Sequence, residues 1–402
     1  MKQMVMDGAA PFLPGEIVTN ILKRLPVKSL MRFQCVCKHW KNLINDPSFI
    51  QDHLRHSSHQ NPSIFIGESG GDDPFRLYLL NCKMQFREFD KAPFVGPLVG
   101  VCLVGSCNGL LCLADYNIRP PAPLLWNPAT RDIRQIPITF NDSRMVWNFG
   151  FGFSPVINDY KIVRFSSHRL DFVVCEVEVY SLSTGAWKSI QFDNIKDVCL
   201  LGHGVSVNGV MFWEGRKHVE EMDSDEAESE DIEDPYVIVS FDMVSETFTV
   251  VPSPTSCYKL AVTEDKLAII SPSEIKDSQD SCIYFRVLGE GAIGSSGEKW
   301  SSREYILNYP FKLHDLRAGA ILRDQIVWID FALPRSKKLR MEDAEHLYLI
   351  NLTTDERKLL SFPRLEPGYG VSNFRYVKRP GFGIFNYVES LVPVDNIQIE
   401  ES

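Results

Sequence analysis

One short unit recurs through most of this chain, and its period restricts the fold more than any other feature. The copies are Trp126-Asn127-Pro128-Ala129-Thr130, Tyr180-Ser181-Leu182-Ser183-Thr184-Gly185, Phe241-Asp242-Met243-Val244-Ser245-Glu246 and Leu349-Ile350-Asn351-Leu352-Thr353-Thr354. Each passes from an apolar or aromatic residue into a turn rich in Thr or Ser, and then into a strand-like run. Thr130, Thr184, Ser245 and Thr354 are spaced by 54, 61 and 109 residues. The last spacing is near twice the first, and a degenerate copy around Arg286 to Trp300 fills it. Between these copies lie turn-then-strand segments. Asn108-Gly109 precedes Leu110-Leu111-Cys112-Leu113, Asn208-Gly209 precedes Val210-Met211-Phe212-Trp213, and Arg323-Asp324-Gln325 precedes Ile326-Val327-Trp328-Ile329.

A period near 50 with about four strands per unit is the mark of a β-propeller. One unit buries its faces only against its neighbours, so several must close into a ring. Five units fit between about Val99 and Phe362. The strand-like ends, Ile64 to Phe89 and Phe374 to Val388, are left over. They are expected to share one blade and close the ring, giving about six blades. The Gly-Gly pair that opens each strict kelch repeat is absent, since Gly70-Gly71 does not recur.

The front of the chain has a different period. Ile17, Ile21 and Leu25 fall at i, i+4, i+8, and Val36, Trp40, Leu43 and Ile44 repeat that spacing, as on one face of a helix. Pro14 suits a first helical turn, and Pro26 ends the helix. Asp46-Pro47 reads as an N-cap with proline at the first helical position, opening a helix through Phe49, Ile50 and Leu54. Three short amphipathic helices are therefore expected over residues 11–56. They are too short to stand alone in water. They also carry more large apolar residues than they can bury among themselves, so this module must complete its core against a partner or against its own downstream domain.

Composition bounds the function. The 402 residues carry 42 basic and 52 acidic side chains, a net charge of −10. Ten acids, from Glu220 to Asp234, form one run without Lys or Arg, and the remainder is balanced. That run reads as a solvated disordered insertion, 220–234, between two strands of a blade. With no basic stripe, nucleic-acid binding is disfavoured. No run of 18 apolar residues is present, so no membrane-spanning helix is expected. Residues 1–10 lack the layout of a secretory signal and are read as a disordered N-terminus. Ten cysteines without paired spacing fit reduced thiols inside a cell, which makes Asn141-Asp142-Ser143 and Asn351-Leu352-Thr353 chance matches to the glycosylation pattern.

Several motifs resemble chemistry and have simpler readings. Gly105-Ser106-Cys107-Asn108-Gly109 has the form of a nucleophile elbow, but that device needs a following helix, and a strand follows here. Gly289-x-Gly291-x-x-Gly294 has the dinucleotide spacing, yet Ser295-Ser296-Gly297 continues it as loop. Cys102, Cys107 and Cys112, and the pair Cys35 and Cys37, lack zinc spacing and read as buried small hydrophobes. His53, His56 and His59 read as solvated residues at a helix end. No catalytic, metal or cofactor-binding residue is assigned.

The module from Phe12 to Leu54 resembles an F-box, through Leu13-Pro14-x-Glu16-Ile17, Ile21-Leu22-x-Arg24-Leu25-Pro26, Ser29-Leu30, Phe33 and Val36-Cys37-Lys38-x-Trp40. The body from 60 to 395 resembles the F-box-associated interaction domain of plant F-box proteins of the F-box/kelch-repeat type. The carrying residues are Ser106-Cys107-Asn108-Gly109-Leu110-Leu111-Cys112, Trp126-Asn127-Pro128-Ala129-Thr130-Arg131, Phe149-Gly150-Phe151-Gly152-Phe153 and Tyr387-Val388-Glu389-Ser390-Leu391.

The resemblance implies a mostly β chain, in which a small helical F-box precedes a kelch-like propeller. It implies that Leu13, Pro14, Ile17, Leu25, Pro26, Leu30, Val36 and Trp40 touch a Skp-type adaptor or brace the helices that do. Through the adaptor the chain would join a cullin in an SCF ubiquitin ligase, in cytoplasm or nucleus, and the propeller would hold a target protein. Two other classes stand beside this: an interaction scaffold outside any ligase, and a propeller enzyme with a channel site. The nine histidines, His203 and His314 among them, show no repeat pattern that would favour the enzyme.

Overall fold

The computed structural model describes residues 13–68, 75–89, 100–116, 118, 121–138, 145–168, 172–218, 236–255, 258–274, 281–289, 300–307, 316–330, 346–354, 356–361 and 383–395. The N-terminal segment 1–10, Gly70-Gly71, the acidic run 220–234, His314, Asn141-Asp142-Ser143 and the glycines after Gly289 lie outside them.

Four helices lead the chain: α1 (Gly15–Leu22), α2 (Val27–Phe33), α3 (Lys38–Ile44) and α4 (Pro47–Gln60). The sequence reading expected three. It missed α2, seven residues opened by Pro26 without a side-chain cap. The Asp46-Pro47 start is as read: the Asp46 carboxylate accepts from the Ser48 and Phe49 amides at 2.9 and 3.4 Å. α4 runs to Gln60, past the boundary expected at 56.

The described strands form six antiparallel sheets. Blade 1 contains β1 (Ser63–Glu68), β2 (Arg76–Asn81) and β3 (Phe86–Glu88). Blade 2 has β4 (Val101–Cys107), β5 (Leu110–Asp115), β6 (Ala122–Trp126) and β7 (Ile133–Gln135). Blade 3 has β8 (Met145–Ser154), β9 (Asp159–His168), β10 (Val174–Ser181) and β11 (Ala186–Ser189). In blade 4, β12 (Val198–Leu200) and β13 (Val205–Val207) both pair with β14 (Val210–Lys217), followed by β15 (Tyr236–Asp242) and β16 (Thr247–Pro252). Blade 5 has β17 (Lys259–Thr263), β18 (Lys266–Glu274), β19 (Ser281–Leu288) and β20 (Trp300–Leu307). Blade 6 has β21 (Leu316–Leu322), β22 (Gln325–Asp330), β23 (His346–Asn351) and β24 (Arg357–Ser361). The last strand, β25 (Gly383–Tyr387), returns to blade 1 and pairs with β1, Ser63 opposite Tyr387 and Gly67 opposite Gly383.

The first strands of the blades touch in sequence: β25 with β4, β4 with β8, β8 with β13, β13 with β17, β17 with β21, and β21 with β25. This is a closed six-bladed ring whose first blade joins the two ends of the body, as the period and the leftover ends required.

The apolar residues cluster at the seams between blades, one cluster per seam. Leu111 and Leu113 of β5 face Phe65 and Tyr387 of blade 1, while Leu110, Cys112 and Ala114 of the same strand face Phe149 and Phe151 of blade 3. A middle strand thus buries both faces, one in each seam. This is why the sequence there reads as a continuous apolar run rather than an alternating one.

The tight turns sit together. Asn108-Gly109, Asn208-Gly209, Glu264-Asp265 and Arg323-Asp324 each join the first strand of a blade to the second through a two-residue loop. Asn108 and Gly109 take φ of 50° and 82°, the left-handed values of a type I′ hairpin. In an up-and-down blade these turns share one rim with the loops between third and fourth strands. α4 enters β1 at this rim, where Arg323 donates to the Gln60 carbonyl at 2.9 Å.

Candidate functional site

α1 and α2 begin the same way. Pro14 and Pro26 stand just before their helices in extended conformation, and their carbonyls accept the first helical N–H bonds. Proline at these places removes no needed donor. α3 is capped by Cys37, the residue before it, whose sulfur accepts from the Trp40 amide at 3.4 Å. Cys35 and Cys37 are exposed, which corrects their reading as buried hydrophobes. Cys102 and Cys112 are buried as read.

The eight residues assigned to adaptor binding separate into two groups. Leu13 (51 % exposed), Ile17 (46 %) and Val36 (62 %) face solvent, and Pro14 and Pro26 are exposed as well. Leu30 is wholly buried, and Leu25 and Trp40 are half-buried. Trp40 stacks edge-on against Phe33 at 5.3 Å. Leu30 belongs to one apolar cluster with Leu22, Val27, Ile44, Phe49 and Ile50, and this cluster is continuous with blades 2 and 3 and with Leu391, Val392 and Val394. The module therefore completes part of its core on its own propeller, and Leu30 is a bracing residue.

The helical face read from the sequence also needs adjustment. α1 ends at Leu22, so Leu25 lies in the turn beyond it rather than on the Ile17–Ile21 face. Val18 and Leu22 point inward. Ile21, 48 % exposed, joins Ile17 one turn away on the outer side of α1, and Leu13, ahead of the helix, is exposed as well. Ile21 was not among the assigned site residues; its spacing from Ile17 was the signal for it.

His53, expected to be solvated, is buried. Its Nε2 donates to the Leu25 carbonyl at 3.0 Å, and its ring stacks on Phe49. Nδ1 has no hydrogen-bond partner. Burial pushes this imidazole below the usual histidine value, against the Leu25 bond and the Glu389 charge, which pull it up. The folded state thus favours neutral His53. Its contribution is complete above the unfolded value of about 6.5 and is lost as pH falls through that value toward the folded one. Melting measured between pH 7.5 and 5.5 is expected to show a larger loss for the native chain than for His53→Gln, which keeps a donor for Leu25 but does not titrate. Equal losses would refute this.

Other polar groups are engaged with each other. A cavity of about 310 Å³ opens at blade 3, lined by Asp159, Lys161, Trp187, Lys188 and Glu246 among others. Lys161 donates to the Met243 carbonyl and to Glu246 at 2.6 and 2.8 Å, and Lys188 donates to Glu246 at 2.6 Å. Burial raises the Glu246 carboxyl, but these two lysines outweigh it and hold it below its usual value. Burial pushes the Cys102 and Cys107 thiols up to about 12, so both stay protonated near neutrality. Cys107 is followed by β5, so the elbow-like motif is a hairpin. Among the described residues no group of three or more His, Cys, Asp or Glu is placed to hold a metal ion.

Residues 12–52 match the F-box domain family, and residues 79–283 match the family of the F-box associated β-propeller domain. Relatives in Arabidopsis thaliana include a putative F-box protein, 32 % identical over 183 residues, which are 44 % of this chain and 46 % of that one. An F-box/kelch-repeat protein is 28 % identical over 61 % of this chain and 66 % of its own length. The putative F-box only protein 15 is 34 % identical over 50 % of this chain and 52 % of its own length. The chain thus spans about half to two thirds of these three relatives. Among solved structures, the tricorn protease aligns at a TM-score of 0.38 and 9 % identity, over 74 % of this chain and 30 % of that one, a likeness too slight to carry weight. With four helices in the F-box segment and the propeller family matched over more than half its length, the chain belongs to the F-box proteins that carry an F-box associated β-propeller domain.

Proposed function

We propose that this chain is the substrate-recognition subunit of an SCF-type E3 ubiquitin ligase complex. The helical module docks on a Skp-type adaptor, and through it on a cullin, while the propeller holds a target protein for ubiquitination. The observation that carries this is the outer face of α1 with Ile17 and Ile21, and with Leu13 and Val36 also exposed, on a module whose inner side is already buried on its own propeller. The chain itself makes and breaks no covalent bond in this reading. It acts by tethering, which raises the effective concentration of target lysines near the charged enzyme. Protonated Cys102 and Cys107 and the mutually bonded Lys161, Lys188 and Glu246 agree with that role. The complex would assemble in the cytoplasm or nucleus. The helices sit at the rim of the tight turns, so the opposite rim is the one we assign to the target.

The test is binding of the purified chain to a Skp-type adaptor. Fully burying one aliphatic side chain contributes about 1.5–3 kcal/mol. Ile17→Asp with Ile21→Asp is therefore expected to weaken binding about 100-fold or more. Both residues are about half exposed in the unbound chain, so the melting temperature should change little. Adaptor binding at native strength in this double variant would defeat the proposal.

A further inference from the structure

Residues 388–395 follow β25 and emerge at the rim of the tight turns, yet they are not a loose end. Ser390, Leu391, Val392 and Val394 are buried. The side-chain amide of Asn127, itself wholly buried, donates to the Ser390 and Val392 carbonyls at 3.0 and 2.8 Å. The Val392 amide donates to Ser390 Oγ at 2.9 Å. Beneath the segment lies Gly109, where a Cβ would stand 2.3 Å from Ser390 Cβ and 2.6 Å from the Val388 carbonyl. Leu391, Val392 and Val394 share their apolar cluster with Leu22, Val27, Leu30, Ile44, Phe49 and Ile50 of the helices. Glu389 is near enough to His53 of α4 to act on its charge.

We propose that residues 388–395 are a strap that fixes the helical module on the propeller, and that Asn127 is its latch. Asn127 has two tasks on two atoms. Its Oδ1 accepts from the Ala129 and Thr130 amides and shapes the local turn. Its Nδ2 is the donor that reaches the strap. Without the strap, the helices keep their covalent link at Gln60 to Ser63 and the Arg323 contact, but lose Leu391, Val392 and Val394 from the cluster they share with blades 2 and 3. A fixed module gives the exposed Ile17 and Ile21 of α1 one orientation relative to the ring. In the ligase reading, that orientation sets where target lysines lie.

The strap can be tested on the full chain by amide hydrogen exchange. Asn127→Asp keeps an acceptor for Ala129 and Thr130 but has no donor for Ser390 and Val392. A second variant, Leu391→Ser with Val392→Ser, leaves Asn127 and its turn untouched. In both, exchange in 388–395 and α4 is expected to rise about tenfold or more, while the strands of blades 4 and 5 keep native rates. Native exchange in α4 and the strap in both variants would overturn the proposal. So would a uniform rise through blades 4 and 5, which would make the segment a general part of the ring's stability. The exchange readout needs no adaptor, so strap and ligase role stand or fall separately.

Discussion

Glu178→Ala is expected to lower the unfolding free energy by about 3–5 kcal/mol, because it removes the carboxylate bonded to a buried guanidinium. Arg164 is 1 % exposed, in the middle of β9 on the side facing blade 2. Its Nε donates to Glu178 Oε2 at 3.0 Å, and its Nη2 bonds to the same oxygen. The guanidinium lies over the rings of Trp147 and Trp187, at 5.2 and 4.4 Å from their centroids. The tryptophan faces attract a cation but cannot replace the carboxylate. Removing both charges is a different perturbation: Arg164→Met with Glu178→Leu should cost far less than Glu178→Ala alone, because neither charge of the pair remains buried. Denaturant titration of the two single variants and the double isolates the coupling. A loss below about 1 kcal/mol in Glu178→Ala would show that the pair matters little to this seam.

Trp213→Ala is expected to cost about 3–5 kcal/mol through the cavity it leaves. Trp213 is wholly buried between blades 3 and 4. It packs edge-on against Phe165 at 5.0 Å, and its indole N–H donates to the Phe149 carbonyl at 3.2 Å. The ring fits because two glycines make room. A Cβ on Gly150 would lie 2.2 Å from Trp213 Cζ2, and one on Gly204 would lie 2.6 Å from the indole nitrogen. Gly150→Ala alone should therefore destabilise by about 1–3 kcal/mol or more, by overpacking. In the Trp213→Ala background the same Gly150→Ala change should cost much less, since the space it needs is empty. Denaturant titration of the three variants checks this, and strict additivity would refute the seam packing described.

Much of this architecture is written in local signals. The spacing of the Thr and Ser turns gives the blade period, and the two unused β-like ends give the closing blade. Gly150 and Gly152 alternate with aromatics in the sequence, and no local pattern says which residues fill the space they leave: Trp213 and Met211 for one, Ser206 and Met243 for the other. What stayed hidden depends on contacts distant in sequence. His53 and His59 sit on one helix, and no local pattern tells that the first is buried under the Leu25 carbonyl while the second meets water. Leu30 and Ile17 are equally apolar, but only the packing of the module on the propeller turns one inward and leaves the other out. Asn127 looked like an ordinary turn residue in Trp-Asn-Pro; its second role requires a segment more than two hundred residues away. The outer face of α1 was half legible, since four-residue spacing links Ile17 and Ile21, while the inward pull on Val18 and Leu22 could not be weighed against it.

The strand β25 supplies the first blade with residues made long after β1, its partner in the sheet. Until they arrive, β1 has an open edge and the seam toward β4 lacks a wall, however well the middle blades have formed. Joining β25 to β1 over so large a loop is entropically slow, and it must wait until β25 has been made. A nascent chain cut short by a premature stop would then present an unsealed sheet edge of the kind that invites aggregation and chaperone binding. A chain that stops before β25 would therefore differ from the closed ring at one defined place, the free edge of β1.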